Sequence, residues 1–408
     1  MNSTLVISID ELWLKGKNRA TYLRAATTHI AAVFKHYHSD KFSYKVQSER
    51  LYYTSKTEFG QDLLSALTCV PGLAYISPCK ILPRLPEESM ENVYEEVVTG
   101  LKHLEGKPFT FRAMVKRIDK SFTQTSVFIG REIGHRVLNH YPLAKVNLKT
   151  TELVVDVRIL PNHVVISTET RKGMGGLPWG STGSAVTMLS GGFDSPVASY
   201  LMAKRGVRQS FVFFHAYPFV GREVIAKIKS LTKELAKFQR QTHLYIVPFG
   251  EIQSRIAKEC REEYRTLIFR RYMIEFTNKI CELSKADAII TGDCVGQVSS
   301  QTMKNLFLMD KVSDRIILRP LVGFNKLEIL NLAATINTHD ISILPHDDAC
   351  AMFAPKSPIL NPNMDYWKNW DKDFDLSSEF SSALEKTEVY SVNLVGDFYK
   401  KDEFSFDA

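Results

Sequence analysis

The hydrophobic and polar positions of this 408-residue chain change rhythm once, near residue 180. Before that point short alternating runs mix with helical periodicity. Leu5 to Ile9 alternates as a strand, Arg19 to Tyr37 repeats apolar residues at helical spacing, and Lys41 to Tyr53 is rich in aromatic and β-branched residues. Asp62 to Cys69 reads as a helix broken by Val70-Pro71-Gly72, which closes a first α+β unit. Helices over Met90 to Leu104 and Thr125 to Asn139, with strands over Phe109 to Lys116, Leu153 to Ile159 and His163 to Thr168, form a second α+β unit. The glycine-rich run from Lys172 to Gly180 marks a boundary, either as a linker or as a phosphate cradle.

Beyond it strands and helices alternate. Strands are expected at 185–189, 210–214, 243–247 and 287–291, and helices at 195–205, 221–239, 251–259, 265–284 and 325–336. Ile341 to Leu344 is also strand-like. This order predicts a doubly wound parallel sheet, in which ligands bind beyond the C-terminal strand ends. The Ser190 loop, His215 and Gly292-Asp293 all follow such ends.

The run Ser190-Gly191-Gly192-Phe193-Asp194-Ser195 lies between the apolar strand ending in Met188-Leu189 and a helix. A tight glycine turn there aims backbone N–H groups and a helix N-terminus at one point, which favours phosphate. The GxxxxGK[ST] spacing of the common phosphate loop is absent. The SGGxDS form resembles the pyrophosphatase (PP) loop of enzymes that split ATP into AMP and pyrophosphate. Thr291 to Thr302 is a small polar run that suits either close approach to a purine or a solvated loop. Arg270-Arg271 reads as a helix surface pair or as a nucleotide or tRNA contact. Cys350 stands in a polar, proline-rich run, where Lys356 favours a thiolate and Asp347 and Asp348 oppose it.

Composition narrows the class. The chain is 44% hydrophobic and 24% charged, as in globular proteins. No apolar stretch suggests a signal peptide or membrane span, and six cysteines without CxxC pairs point to a reducing, cytoplasmic setting without a structural metal. The net charge of +7 is uneven. Residues 1–180 carry 24 Lys and Arg against 17 Asp and Glu, residues 181–360 carry 23 against 17, and residues 361–408 carry 5 against 11. The basic body suits a polyanionic partner such as nucleic acid. The aromatics of the acidic tail, Tyr366, Trp367 and Trp370, suit packing on the preceding domain or binding a donor protein.

Taken together, the motifs resemble the tRNA 4-thiouridine synthetases, or tRNA uracil 4-sulfurtransferases (ThiI family). They are the Leu14 to Arg19 run, Lys116 to Phe122, Gly130 to Gly134, Lys172 to Leu177, the Ser190 loop, Thr291 to Thr302, Arg319-Pro320-Leu321 and the CxxFxPKxP run at Cys350. The resemblance implies a ferredoxin-like domain at 1–60, a THUMP RNA-binding domain at 61–170, a PP-loop adenylation domain at 171–395 and a tail at 396–408. It implies ATP against Met188, Leu189, Ser190, Gly191, Gly192, Asp194, Ser195, Phe213, Phe214, Arg270, Gly292 and Gln301. It implies tRNA phosphate contacts from Lys116, Arg117, Lys120 and Arg131, and sulfur chemistry at Cys350. Mg²⁺, a cysteine desulfurase as sulfur donor and a homodimer follow from the same likeness. Asp194 is expected to orient the loop or a hydrated metal, and Cys294 is the candidate second thiol. Two other readings compete: another adenylating PP-loop enzyme, and a catalytically idle tRNA-binding protein. Ser8-Ile9-Asp10 departs from the family's usual Arg-Tyr-Gly, and no cysteine follows Cys350, so neither a rhodanese-like domain nor a CxxC partner is expected.

Overall fold

A computed structural model of the chain describes residues 3–47, 50–83, 90–345, 353 and 355–401. Two compact units are present, Met1–Ala20 with Ala26–Gly176, and Thr21–Ala25 with Leu177–Ala408.

The first unit carries strands β1 (Ser3–Ile9), β2 (Phe42–Gln47), β3 (Arg50–Ser55), β4 (Leu73–Pro83), β5 (Phe109–Arg117), β6 (Ala144–Val146), β7 (Leu153–Ile159), β8 (His163–Ser167) and β9 (Arg171–Lys172). Its helices are α1 (Arg19–Tyr37), α2 (Gln61–Thr68), α3 (Met90–Gly100) and α4 (Ser126–His140). The sheet order is β2-β3-β1-β4-β8-β7-β5-β6, with β9 beside β4. Strand β4 joins the two α+β regions, because its first part pairs with β1 and its last part with β8. Alternation assigns the faces. Phe34 of α1 stacks on Tyr53, while Phe111, Val155, Val157 and Ile166 form a core with α3 and α4. Thr125 caps α4 by accepting from the Phe128 amide at 3.2 Å.

The glycine run after β9 is docked by its backbone. Gly173, Met174 and Gly175 donate to the carbonyls of Ala74, Thr68 and Leu73, and the Gly176 amide donates to Asp10 Oδ2 at 2.8 Å. These amides are therefore engaged by protein and are not free to cradle phosphate. Asp10 thus holds backbone at the position where the family's usual motif has glycine. At Gly173 an added Cβ would lie 2.2 Å from the Leu73 carbonyl oxygen.

The second unit contains β10 (Ser184–Met188), α5 (Asp194–Lys204), β11 (Arg208–His215), α6 (Glu223–Ala236), β12 (Gln241–Pro248), α7 (Gly250–Glu259) and α8 (Arg265–Ser284). Then follow β13 (Ala288–Ile290), α9 (Met303–Val312), β14 (Ile316–Leu318), α10 (Lys326–Thr335), α11 (His339–Ile343), α12 (Met364–Asp373), α13 (Ser377–Glu385), β15 (Glu388–Asn393) and β16 (Phe398–Lys400). The sheet order is β14-β13-β10-β11-β12-β15-β16, parallel from β14 to β12 and antiparallel beyond. The chain winds outward from β10 in both directions, so the topological switch lies between β10 and β13.

One element differs from the sequence reading, and of the two roles open to the tail aromatics one is observed. Residues 341–343 are helical, not extended: Thr338 and Ser342 are buried while Ile343 and Leu344 are exposed, so the apolar residues expected in a strand face outward. The tail aromatics pack on this unit, with Trp367, Trp370 and Phe374 in the core beside α8 and Trp370 Nε1 donating to Tyr272 Oη at 3.3 Å. Gly173→Ala is expected to destabilise the first unit by about 1–3 kcal/mol through overpacking. Gly134→Ala, in helix α4 with open space around it, is expected to be neutral or mildly stabilising. Thermal unfolding of the two variants checks this.

Candidate active site

The turn from β10 to α5 sits at the switch point. The Ser190 amide donates to Ser195 Oγ at 2.8 Å, the two hydroxyl oxygens are 3.1 Å apart, and the Gly192 amide donates to Ser190 Oγ at 3.4 Å. The two serines thereby brace the loop from both ends. No side chain caps the N-terminus of α5. Its first N–H groups have no intrahelical acceptor, and the helix dipole adds partial positive charge there. Asp194 is held at both oxygens, by Lys326 Nζ at 3.0 Å and Gln297 Nε2 at 3.0 Å. Lys326 begins α10, whose Asn325 and Glu328 form a reciprocal capping box.

The β13 loop closes on this turn because Gly292 lacks a side chain. A Cβ there would fall 2.7 Å from the Ser195 nitrogen and 2.8 Å from the Asp194 carbonyl carbon. The next residue, Asp293, is buried and is gripped by Arg270 Nη2 at 2.6 and 2.8 Å, by Thr291 Oγ1 at 2.8 Å and by Gln301 Nε2 at 3.2 Å. Arg319 Nε adds an ion pair at 3.5 Å. Burial alone would raise its pKa, but Arg270, the Thr291 hydroxyl and Arg319 hold it below the usual carboxylate range. Gln301 Oε1 is buried without a protein partner.

These groups surround a cavity of about 250 Å³ lined by Met188, Leu189, Ser190, Asp194, Ser195, Phe213, Phe214, Arg270, Met273, Thr291, Gly292, Asp293 and Gln301. Every residue expected to contact nucleotide lines it except Gly191 and Gly192, which lie in the adjoining turn. Met273 was not singled out from sequence; Thr291 and Asp293 were placed at the strand end but not among the expected nucleotide contacts. For Asp293 the signal was an acidic residue directly after a strand-end glycine. Of the arginine pair, Arg270 faces the cavity while Arg271 lies 4.9 Å over the Trp367 ring. A larger cavity of about 590 Å³ in the first unit is lined by Lys56, Gln61, Cys79, Glu96, His103 and Glu169 among others.

Cys350 lies outside the described residues. Just after it in sequence, Phe353 packs on Phe219 and Phe269, with ring centroids 5.2 and 6.2 Å apart. Cys294 is buried, and burial with the nearby Asp194 carboxylate pushes its thiol up to about 11. Burial likewise pushes Cys260 up to about 11 and Cys281 up to about 12. In the first unit Lys116, Lys120 and Arg131 are exposed, whereas Arg117 is half-buried and donates to the Phe122 carbonyl, closing the 118–122 turn. Among the described residues no group of three or more His, Cys, Asp or Glu side chains is arranged to hold a metal ion. No described helix is long and apolar enough to cross a membrane.

Three family models match in succession: a ThiI ferredoxin-like domain at residues 4–77, a THUMP domain at 87–169 and a thiamine biosynthesis protein (ThiI) model at 180–376. A probable tRNA sulfurtransferase of Finegoldia magna is 35% identical over 387 residues, covering 95% of this chain and 98% of that protein. One of Brevibacillus brevis is 33% identical over 390 residues, covering 95% and 96%. The crystal structure of a 4-thiouridine synthetase–RNA complex with bound ATP superposes with a TM-score of 0.82 at 30% identity, covering 96% of this chain and 100% of that one. Identity at this level across nearly the whole length, with all three domain models in order, places the chain in the ThiI family of tRNA sulfurtransferases.

Proposed function

We propose that this protein thiolates the uridine at position eight of tRNA to 4-thiouridine in two steps, ATP-dependent adenylation and then sulfur transfer. The observation that carries the reading is the braced Ser190–Ser195 turn at the switch point, backed by Gly292 and opening on the 250 Å³ cavity. The turn and the N-terminus of α5 suit the phosphates of ATP. Phe213, Phe214 and Met273 offer an apolar wall to the base, and the unpartnered Gln301 Oε1 offers an acceptor for an amino group. Lys116, Lys120 and Arg131 suit phosphate contacts that position RNA without reading its sequence.

In the first step uridine O4 attacks the α-phosphorus and pyrophosphate leaves. The carbonyl oxygen is then part of AMP, a far better leaving group. In the second step a persulfide on Cys350, loaded by a cysteine desulfurase, attacks C4 through its terminal sulfur. AMP leaves with O4, and a disulfide links C4 to Cys350. A second thiol attacks the Cys350 sulfur of that disulfide, releasing 4-thiouridine and leaving a mixed disulfide on Cys350, which a further thiol reduces to restore the free cysteine. The buried, protonated Cys294 is a poor nucleophile in this geometry, so the reading assigns that thiol to a donor in solution. Mg²⁺ offsets phosphate charge when bound. Asp194, with its oxygens engaged by Lys326 and Gln297, orients the loop beside which such an ion would sit.

Two outcomes are expected. With unmodified tRNA, Mg-ATP, cysteine and a cysteine desulfurase, wild type makes 4-thiouridine, while Cys350→Ser continues to release AMP and makes none. Nucleoside mass spectrometry and AMP assay read the two products. Continued thiolation by the variant would remove Cys350 as carrier, and the absence of both products from wild type would favour a catalytically idle RNA-binding protein. Separately, Gly292→Ala is expected to weaken ATP binding at least tenfold, about 1.4 kcal/mol, because its Cβ meets backbone of the Ser190 turn. Its tRNA affinity should stay within about twofold of wild type. Equilibrium binding of each ligand checks this.

A further inference from the structure

Lys227 lies in the interior of the second unit, in helix α6, with 5% of its surface exposed. Its Nζ donates to the Ser342 carbonyl at 2.9 Å and to the Leu344 carbonyl at 2.6 Å. Those oxygens end α11, where helix carbonyls lack intrahelical partners and the dipole favours a cation. Burial lowers the ammonium's pKa. A chain that needed only packing at this point would place Met or Leu there, without the cost of taking a charge out of water.

Helix α11 also touches the nucleotide loop. Ser342 Oγ donates to the Gly192 carbonyl at 3.1 Å, and the His339 ring lies 5.5 Å from that of Phe193. Cys350 follows Leu344 by six residues in the sequence. On the far side of Cys350, Phe353 packs against Phe219 and the Lys356 amide donates to Glu262 Oε1 at 3.1 Å. The short helix is therefore a strut between the phosphate loop and the start of the cysteine segment, and Lys227 clamps its second end.

We propose that Lys227 is a positioning residue for sulfur transfer. Through the Ser342 and Leu344 carbonyls it fixes the point from which the Cys350 segment departs, in register with the phosphate loop that Ser342 also touches. The proposal rests on the reading of Cys350 as the sulfur carrier.

The test compares full-length wild type, Lys227→Met, Lys227→Arg and Cys350→Ser, each with unmodified tRNA, Mg-ATP, cysteine and a cysteine desulfurase. AMP, 4-thiouridine and KM for ATP are measured in each, and thermal unfolding is followed. Lys227→Met is expected to keep AMP formation and KM for ATP within about twofold of wild type. Its 4-thiouridine yield should fall at least tenfold, so that the AMP-to-thiouridine ratio rises by about that factor. Lys227→Arg should restore most of the ratio, since a guanidinium can also donate to two carbonyls. If Lys227→Met does not fold, Lys227→Gln, which keeps a donor, is read in the same way. A parallel loss of both products, as from general destabilisation, would overturn the proposal, and so would an unchanged ratio. If Cys350→Ser still thiolates tRNA, the carrier assignment fails and this proposal falls with it. An inactive Cys350→Ser beside a coupled Lys227→Met would overturn this proposal alone.

Discussion

The buried carboxylate of Asp293 sets the geometry of the nucleotide edge. It draws Arg270 from α8, Arg319 from the end of β14, Thr291 from its own loop and Gln301 from the turn before α9 onto one pair of oxygens. Isolated, so deeply buried a charge would be untenable; with two guanidinium groups and a hydroxyl around it, its protonated form is disfavoured. Removing one partner from such a cluster typically costs about 3–5 kcal/mol, because the remaining charge is left uncompensated. The stabilisation is present above the ordinary carboxyl pKa and is lost as pH falls through the depressed folded value. The consequence for function is positional. With Asp293 anchored, Gly292 is pressed against the start of α5, and the β13 loop and the Ser190 turn become two walls of one cavity.

The sheet explains why these parts meet. Strands β10 and β13 are neighbours although about 100 residues separate them, because the chain winds one way through β11 and β12 before returning. Helices leaving the two strands diverge, and the gap between them is where a ligand fits. In the proposed reaction, activation and sulfur transfer make different demands on this frame. The first needs fixed donors around phosphate. The second needs a sulfur atom brought to C4, a role proposed for the segment that α11 joins to the phosphate loop.

Much of this was legible from residues alone. Glycines, serines and an aspartate between a strand and a helix specify the turn, and strand–helix alternation specifies the sheet, so the switch point and most of the cavity lining could be written down in advance. The misreadings have physical causes. Ile341, Ile343 and Leu344 suggested a strand, but α11 is held by its polar residues: Thr338 and Ser342 are buried, and Lys227 closes its end. Lys227 and Lys326 carry no motif that marks them in the sequence, and only tertiary structure reveals that one is buried and the other grips Asp194. For the acidic tail the sequence left packing and donor binding both open, because its burial depends on Trp367, Trp370 and Phe374 meeting α8, a contact across nearly 100 residues of sequence. Arg271 shows the same limit: adjacent to Arg270, it turns the other way because the tail supplies an aromatic face.

The measurement that bears most directly on this account follows the oxygen removed from the uridine. The tRNA would carry ¹⁸O at O4 of its uridines, and AMP from a complete thiolation reaction would be analysed by mass spectrometry. Adenylation of O4 followed by sulfur attack at C4 predicts one ¹⁸O in the phosphate of AMP for each 4-thiouridine formed. AMP without label, alongside normal 4-thiouridine yield, would contradict activation of the carbonyl oxygen at the Ser190 loop.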